Sequence, residues 1–120
     1  MKIAVSATGK DFDVRLDPRF GRSAYFIMVD PEIMAFEVVE NRQNLNLPQG
    51  AGIQAAKTIV GSKADVLITG HCGPKAFKVL RSVGVTIATG AKGSVADAIQ
   101  QYTNGELEVA READVKGHWV

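Results

Sequence analysis

Val66-Leu67-Ile68-Thr69-Gly70-His71-Cys72-Gly73-Pro74-Lys75-Ala76-Phe77-Lys78-Val79-Leu80 changes its period in the middle. Asp65 to Thr69 is a short apolar run, which reads as a strand buried on both faces. After Pro74, Phe77, Leu80 and Gly84 fall on one side while Lys78 and Arg81 face water, which reads as a helix. Proline suits the first helical position, where its missing N–H costs nothing. The turn between them holds two glycines, the chain's one cysteine and one of its two histidines. A buried strand feeding a helix through a glycine turn implies a parallel sheet covered by helices.

The rest of the chain fits that unit. Ile3-Ala4-Val5 reads as a first, central strand, and Val85 to Thr89 as a fifth. Tyr25 to Val29 and Ile33 to Glu40 read as strands joined by the turn signal Asp30-Pro31-Glu32, so they form an antiparallel hairpin. Ile53, Ala56, Val60 and Ala64 predict a helix over 51–61 that stops at Gly61. Ser94-Val95-Ala96-Asp97 resembles a capping box and opens a last helix, with Val95, Ala98, Ile99 and Tyr102 as its stripe and Asn104-Gly105 as its end. The order β-β-β-α-β-α-β-α predicts an α/β fold of ribonuclease-H-like type. Its mixed five-stranded sheet has strands one, four and five as a parallel core, the hairpin on one edge, and three helices. The tail from Glu106 has no strong period and reads as irregular, with Trp119 expected to dock on the body.

A chain of 120 residues is expected to be one domain, residues 1–120. With 46% apolar and 22% charged residues it is an ordinary globular chain and not a disordered one. A formal charge of +1 makes no general case for nucleic acid or an anionic membrane. No apolar run approaches the ~20 residues of a membrane span. The start is too short in apolar residues for a signal peptide, and one cysteine makes no internal disulfide, so a reducing cytoplasm is expected. Residues 10–24 form a long polar connection of the kind that is either an ordered surface loop or a ligand contact. Asn41 to Gly52 reads as a linker, with a lid as the alternative.

Three strand ends match. The first, fourth and fifth strands close with Thr8-Gly9, Thr69-Gly70 and Thr89-Gly90, and two extend to Thr-Gly-x-x-Gly, reaching Gly73 and Gly93. In a parallel core these loops share one sheet edge, where open α/β sheets bind ligands. The helices after Gly73 and Gly93 are expected to point free N–H groups there, and a helix start favours an anion. No Asp or Glu occurs from Val66 to Ala96, while Lys75, Lys78, Arg81 and Lys92 do; Lys10 and Arg22 extend the rim. The expectation is a glycine-lined, basic mouth suited to a compact anion.

His71 and Cys72 carry the chemistry of that mouth. Imidazole and thiolate are ligands for soft or borderline metals such as copper and zinc. Two neighbours fall short of the four ligands of a structural zinc, and there is no CxxC, HExxH or second cysteine. The chain has no nucleophile elbow, and Gly61-Ser62-Lys63 lacks the glycine spacing of a Walker sequence. Nucleases of this fold order need clustered carboxylates. Here the first strand ends in Ser6 and Thr8 and the fourth in His71 and Cys72.

At these residues the sequence resembles the dinitrogenase iron-molybdenum cofactor biosynthesis family, the NifX/NafY-like proteins. The resemblance spans nearly the whole chain. It is carried by Met1-Lys2-Ile3-Ala4-Val5, Phe20-Gly21-Arg22-Ser23-Ala24-Tyr25-Phe26 and Gly50-Ala51-Gly52-Ile53-Gln54-Ala55-Ala56. Gly70-x-x-Gly73-Pro74 and Gly90-x-x-Gly93-Ser94-Val95 complete it. It implies a ribonuclease-H-like fold without the nuclease site, and a role in carrying or inserting metal–sulfur clusters that contain molybdenum. Among small stand-alone members, one from sulfate reducers holds a molybdenum–copper sulfide cluster without a covalent link. Many small members have Asn where this chain has His71 and no thiol at position 72.

The expectation is therefore a non-catalytic carrier or scaffold for an anionic molybdenum–sulfur cluster, with or without copper. Its site would comprise Thr8, Gly9, Arg22, Gly70, His71, Cys72, Gly73, Lys75, Gly90, Lys92 and Gly93, with His71 and Cys72 as metal donors. Its partners would be cluster-assembly or acceptor proteins, with no nucleic acid and no membrane. The alternatives are a phosphate- or nucleotide-binding regulatory module on the same helix starts, and a protein-interaction module using residues 41–52.

Overall fold

The computed structural model describes residues 1–33, 35–41 and 50–110. Its sheet is built from β1 (Ile3–Ala7), β2 (Tyr25–Asp30), β3 (Ala35–Glu40), β4 (Val66–Ile68), β5 (Thr86–Thr89) and β6 (Glu108–Val109). The helices are α1 (Ala51–Gly61), α2 (Pro74–Ser82) and α3 (Val95–Thr103). The strand order is β3-β2-β1-β4-β5-β6. β1, β4 and β5 run parallel, with Ile3 opposite Val66 and Val66 opposite Thr86. The β2–β3 hairpin adds antiparallel to β1. This is the mixed sheet that the period changes predict, with one correction. The sheet has six strands, because Glu108 and Val109 pair antiparallel with β5 and the Ala110 N–H reaches the Ile87 carbonyl at 2.8 Å. Two residues at an edge leave no period to read. The proposed lid at 41–52 and the docking of Trp119 fall largely or wholly outside the described residues.

The sheet divides the core into two layers. One holds Phe26, Met28, Leu67 and Ile87 from the strands and Ala55, Ile59, Phe77 and Leu80 from α1 and α2. The other holds Ile3, Val5, Ile27 and Ile68 with Val95, Ala98 and Ile99 of α3. Alternate residues of one strand serve opposite layers, as the pleat requires. Each fully buried Leu or Ile contributes about 1.5–3 kcal/mol against its exposed state. α1 and α2 thus share one face and α3 lies alone on the other. Crossovers of one hand from β3 to β4 and from β4 to β5, all in the same direction across the sheet, put α1 and α2 on one face, while α3 leads into the antiparallel β6. Both α1 and α2 start at the carboxyl edge of β1 and β4.

Candidate functional site

Residues 8–24 are not a free loop. They form a strap laid across the carboxyl ends of the strands. Asp17 N–H reaches the Ser6 carbonyl at 2.9 Å, and Ser6 Oγ lies 2.6 Å from the Asp17 carbonyl and 2.9 Å from Thr69 Oγ1. Further on, the His71 N–H donates to the Pro18 carbonyl at 3.0 Å, and Arg19 pairs with His71 as an isolated parallel bridge. Gly70 is required here, because a Cβ at that position would sit 2.6 Å from Pro18 Cα. The Gly90 N–H joins the two glycine turns by donating to the Gly70 carbonyl at 3.0 Å.

On the α3 side the strap seals the edge. The Val95 N–H donates to the Val14 carbonyl at 2.9 Å, and the Ala96 N–H to the Phe12 carbonyl at 3.1 Å. The Asp97 N–H is taken by Ser94 Oγ, while the Asp97 carboxylate accepts the Ser94 N–H, so both halves of the capping box are made. Asp97 serves in place of the usual Glu because the αL turn at Gly93 brings the chain onto it. The α3 start therefore offers no free N–H to a ligand, which corrects the expectation that two glycine turns present open helix starts. Thr8 and Gly9 are used in the same way: Thr8 N–H and Oγ1 both reach the Arg15 carbonyl, and Gly9 packs on Val14. The Lys92 backbone is tied to the Gln101 side chain on α3. Lys10 lies over the Tyr25 ring, 5.4 Å from its centroid, and so stands on the strap and not at the rim. Ser94→Ala is expected to lower stability by about 1 kcal/mol, read by urea denaturation, with the α1–α2 side unaffected.

The α1–α2 side is arranged differently. The first turns of the two helices touch, since a Cβ on Gly52 would lie 3.5 Å from Ala76 Cβ. The turn after Phe20 rests on the α1 start: a Cβ on Gly21 would meet Gly52 Cα and N at 2.9 Å. Neither helix has a side-chain cap; the preceding residues are Gly50 in the left-handed region and Gly73 in extended backbone. Among the described residues the N–H groups of Ala51, Gly52 and Ile53 in α1, and of Lys75 and Ala76 in α2, have no partner. Two helix starts thus converge beside Arg19, Arg22, His71 and Lys75. From residue 41 to residue 96 Asp65 is the sole carboxylate in the sequence, and it accepts the Lys2 N–H at the opposite sheet edge. The strap's Asp17 is buried, with Oδ1 taken by the Arg19 N–H at 2.9 Å and its Nε at 3.4 Å.

Cys72 does not join this rim. It is 1% exposed and packs in the core with Phe77 and Leu80, its Sγ 3.7 Å from the Gly73 carbonyl. The strand-to-helix turn sends adjacent side chains to opposite sides, so His71 stands half-buried at the strap while Cys72 goes inside. Among the described residues no group of three His, Cys, Asp or Glu side chains could hold a metal ion between them. Phe20 is also buried, against Phe26, and offers a base no stacking platform. Sequence reasoning missed Arg19, the α1 start and Asn41. The last is fully buried and donates through Nδ2 to the Ser23 carbonyl at 2.7 Å and the Gly21 carbonyl at 3.3 Å. The only early sign of the α1 start was the run Gly50-Ala51-Gly52, whose glycines admit close backbone contact.

Uncapped helix starts without acidic residues in their first turns, beside Arg22 and Lys75, make this side a candidate site for an anion on an α/β scaffold. The chain belongs to the dinitrogenase iron-molybdenum cofactor family, whose model matches residues 1–105. It is similar to the orange protein from Desulfovibrio gigas in its apo form, with 41% identity, 94% of this chain and 95% of that chain covered, and a TM-score of 0.90. It is also similar to a Thermotoga protein of the DUF35 family, at 32% identity over 90% of this chain and 91% of that one, with a TM-score of 0.78. An uncharacterised protein of Methanocaldococcus jannaschii is 31% identical over 111 residues, 90% of each chain. Among the described residues no helix is long and apolar enough to cross a membrane.

Proposed function

We propose that the protein binds an anionic molybdenum–sulfur cluster, with or without copper, and carries or scaffolds it without catalysing a reaction. The observation that carries this reading is the contact between two uncapped helix starts, neither of which has an acidic residue in its first turn. Each start favours a nearby anion by about 0.3–1 kcal/mol, and more where the site is partly buried. Arg22 and Lys75 add positive charge, Arg19 shares its own with Asp17, and Gly73 lets the cluster approach backbone while Gly70 admits the strap. A thiomolybdate-type cluster brings its own sulfide ligands, so a chain with few donors holds it by charge and N–H···S contacts. Family membership and the likeness to the orange protein support a cofactor-carrying role.

In this reading His71 is the donor nearest a cluster metal, and Cys72 supports the turn from within. Thr8, Gly9, Gly90, Lys92 and Gly93 act through the strap and the seam that hold the mouth in place. Cluster-assembly or acceptor proteins are the partners, in a reducing cytoplasm suited to a chain with one cysteine. The phosphate or nucleotide alternative loses its stacking residue with the burial of Phe20.

The test is reconstitution of apo protein with tetrathiomolybdate and copper, followed by gel filtration and optical spectroscopy. A coloured complex that elutes with the protein is expected, and its absence overturns the assignment. Arg19→Glu with Lys75→Glu should weaken retention by about tenfold or more, since reversing charges beside a bound anion costs over 1.4 kcal/mol. Cys72→Ala should retain the cluster, while His71→Ala should shift its absorption bands. Unchanged bands in His71→Ala would remove the imidazole from metal contact.

A further inference from the structure

The chain's near-zero net charge conceals an uneven division of charge among its elements. None of its thirteen acidic residues lies on α1 or α2. Those helices carry Lys57, Lys75, Lys78 and Arg81, all four exposed. Among the described residues none of the four makes an ion pair. Arg81 lies over the Phe77 ring, 5.9 Å from its centroid, which steadies the guanidinium while leaving its charge unmatched. Glu37, the carboxylate of β3 on the same face of the sheet, is paired with Lys2 at 3.6 Å. The strap and α3 on the other side carry both signs, with Asp11, Asp13, Asp97 and Glu106 exposed beside Lys10, Arg15 and Lys92, while Glu108 of β6, opposite Thr89, lies at the sheet edge on the α1–α2 side.

Position gives this division a use. Lys75, Lys78 and Arg81 follow one another at intervals of three, so they form a stripe of about 9 Å along α2 that begins at the mouth. We propose that the outer surface of the α1–α2 layer docks an acidic protein, seated so that its edge covers the mouth. That seating, which makes the partner a donor or acceptor of the cluster, rests on the carrier reading; the docking itself does not. Other anionic partners fit less well. Nucleic-acid domains are generally more basic than a pI of about 7.9, and the layer exposes no aromatic ring for stacking. A membrane surface calls for apolar side chains to insert, and those of α2 pack inward, with Ala76, Phe77 and Leu80 buried in the core and Val79 half-buried against it. Rim charges of this kind steer a complementary surface and set its register.

The experiment uses apo protein, so its outcome is separate from that of cluster loading. Fluorescence anisotropy of a labelled polyglutamate peptide, standing in for the acidic surface, is measured at physiological ionic strength. Vesicles containing phosphatidylserine and a short DNA duplex are measured in parallel. Lys78→Glu with Arg81→Glu is compared with Lys10→Glu with Arg15→Glu, an equal change of net charge on the strap. The first pair should lose about tenfold in affinity and the second little, because only the first removes the matched surface. Lys78→Gln with Arg81→Gln, which keeps good helix formers, should lose several-fold and guards against unfolding of α2. Equal loss in both reversal pairs would reduce the effect to net charge and overturn the proposal. So would tighter binding of vesicles or duplex than of peptide, or concentration-dependent self-association that competes with the peptide.

Discussion

Gly70→Ala is expected to destabilise the protein by about 2–3 kcal/mol, the upper part of the range for overfilling a packed site. The new methyl would meet Pro18 at three atoms, Cα, Cβ and the carbonyl oxygen, at 2.6–2.8 Å. Two of these are backbone and the third belongs to a ring, so no side chain can rotate away. Relief requires the strap to lift. That stretches the His71 N–H bond to the Pro18 carbonyl and the Asp17 contacts to Ser6 one residue earlier. Urea denaturation reads the loss directly, with an unchanged slope if the fold is kept. Gly61→Ala is the control, because nothing lies within 4 Å of that position and its φ is not positive. It should be neutral or stabilising by up to about 1 kcal/mol. A Gly70→Ala protein within about 0.5 kcal/mol of wild type would show that the strap is not clamped at this point. Cluster retention should fall with stability, since the same movement separates Arg19 from His71.

Asn41→Ala is expected to cost about 2–3 kcal/mol, because it leaves buried acceptors without donors and opens a small cavity. Asn41 is the first residue after β3, and its N–H donates to the Ala24 carbonyl at 2.8 Å. Its side chain spans to the Ser23 and Gly21 carbonyls and so fixes the turn that carries Arg22 and presses Gly21 on α1. Ser23 Oγ continues the clasp: it accepts the Ala7 N–H and lies 2.7 Å from the Tyr25 carbonyl. Loss of the amide should free the turn before it unfolds the domain. Cluster retention should therefore weaken at temperatures where circular dichroism still reports native structure. Full retention together with unchanged stability would contradict this account. Asn41→Asp keeps the shape but removes the donor, and should resemble the alanine variant in retention.

The elements legible in the sequence were those whose burial leaves a period. The helix over 51–61 matches α1, and the stripe of Val95, Ala98 and Ile99 marks α3 up to Asn104. The strands were found because three of them are buried on both faces and one hairpin is punctuated by Asp30-Pro31. β6 escaped, being two edge residues. The site was legible in part. Glycine turns and missing carboxylates in the 66–96 segment pointed to the sheet edge where the proposed site lies, since both are properties of single segments. Which turns stay open was not readable, because that depends on where a strap without periodicity comes to rest. It closed the α3 start with the carbonyls of Phe12 and Val14 and left the α1 and α2 starts bare. His71 and Cys72 looked like a pair for the same reason: adjacency in sequence says nothing of direction at a turn.

What the sequence determined by itself is therefore the α/β order, and the glycine turns and basic residues of the edge proposed to hold the site. Local period, turn chemistry and composition suffice for these, as each is set within a dozen residues. The tertiary structure alone decided that the α1 and α2 starts meet on one face of the sheet, that Arg19 lies beside His71 and that Cys72 is buried in the core. Those outcomes depend on contacts between residues such as Gly21 and Gly52, Pro18 and Gly70, or Gly52 and Ala76. Such pairs are remote along the chain and are brought together only when both core layers close around one sheet.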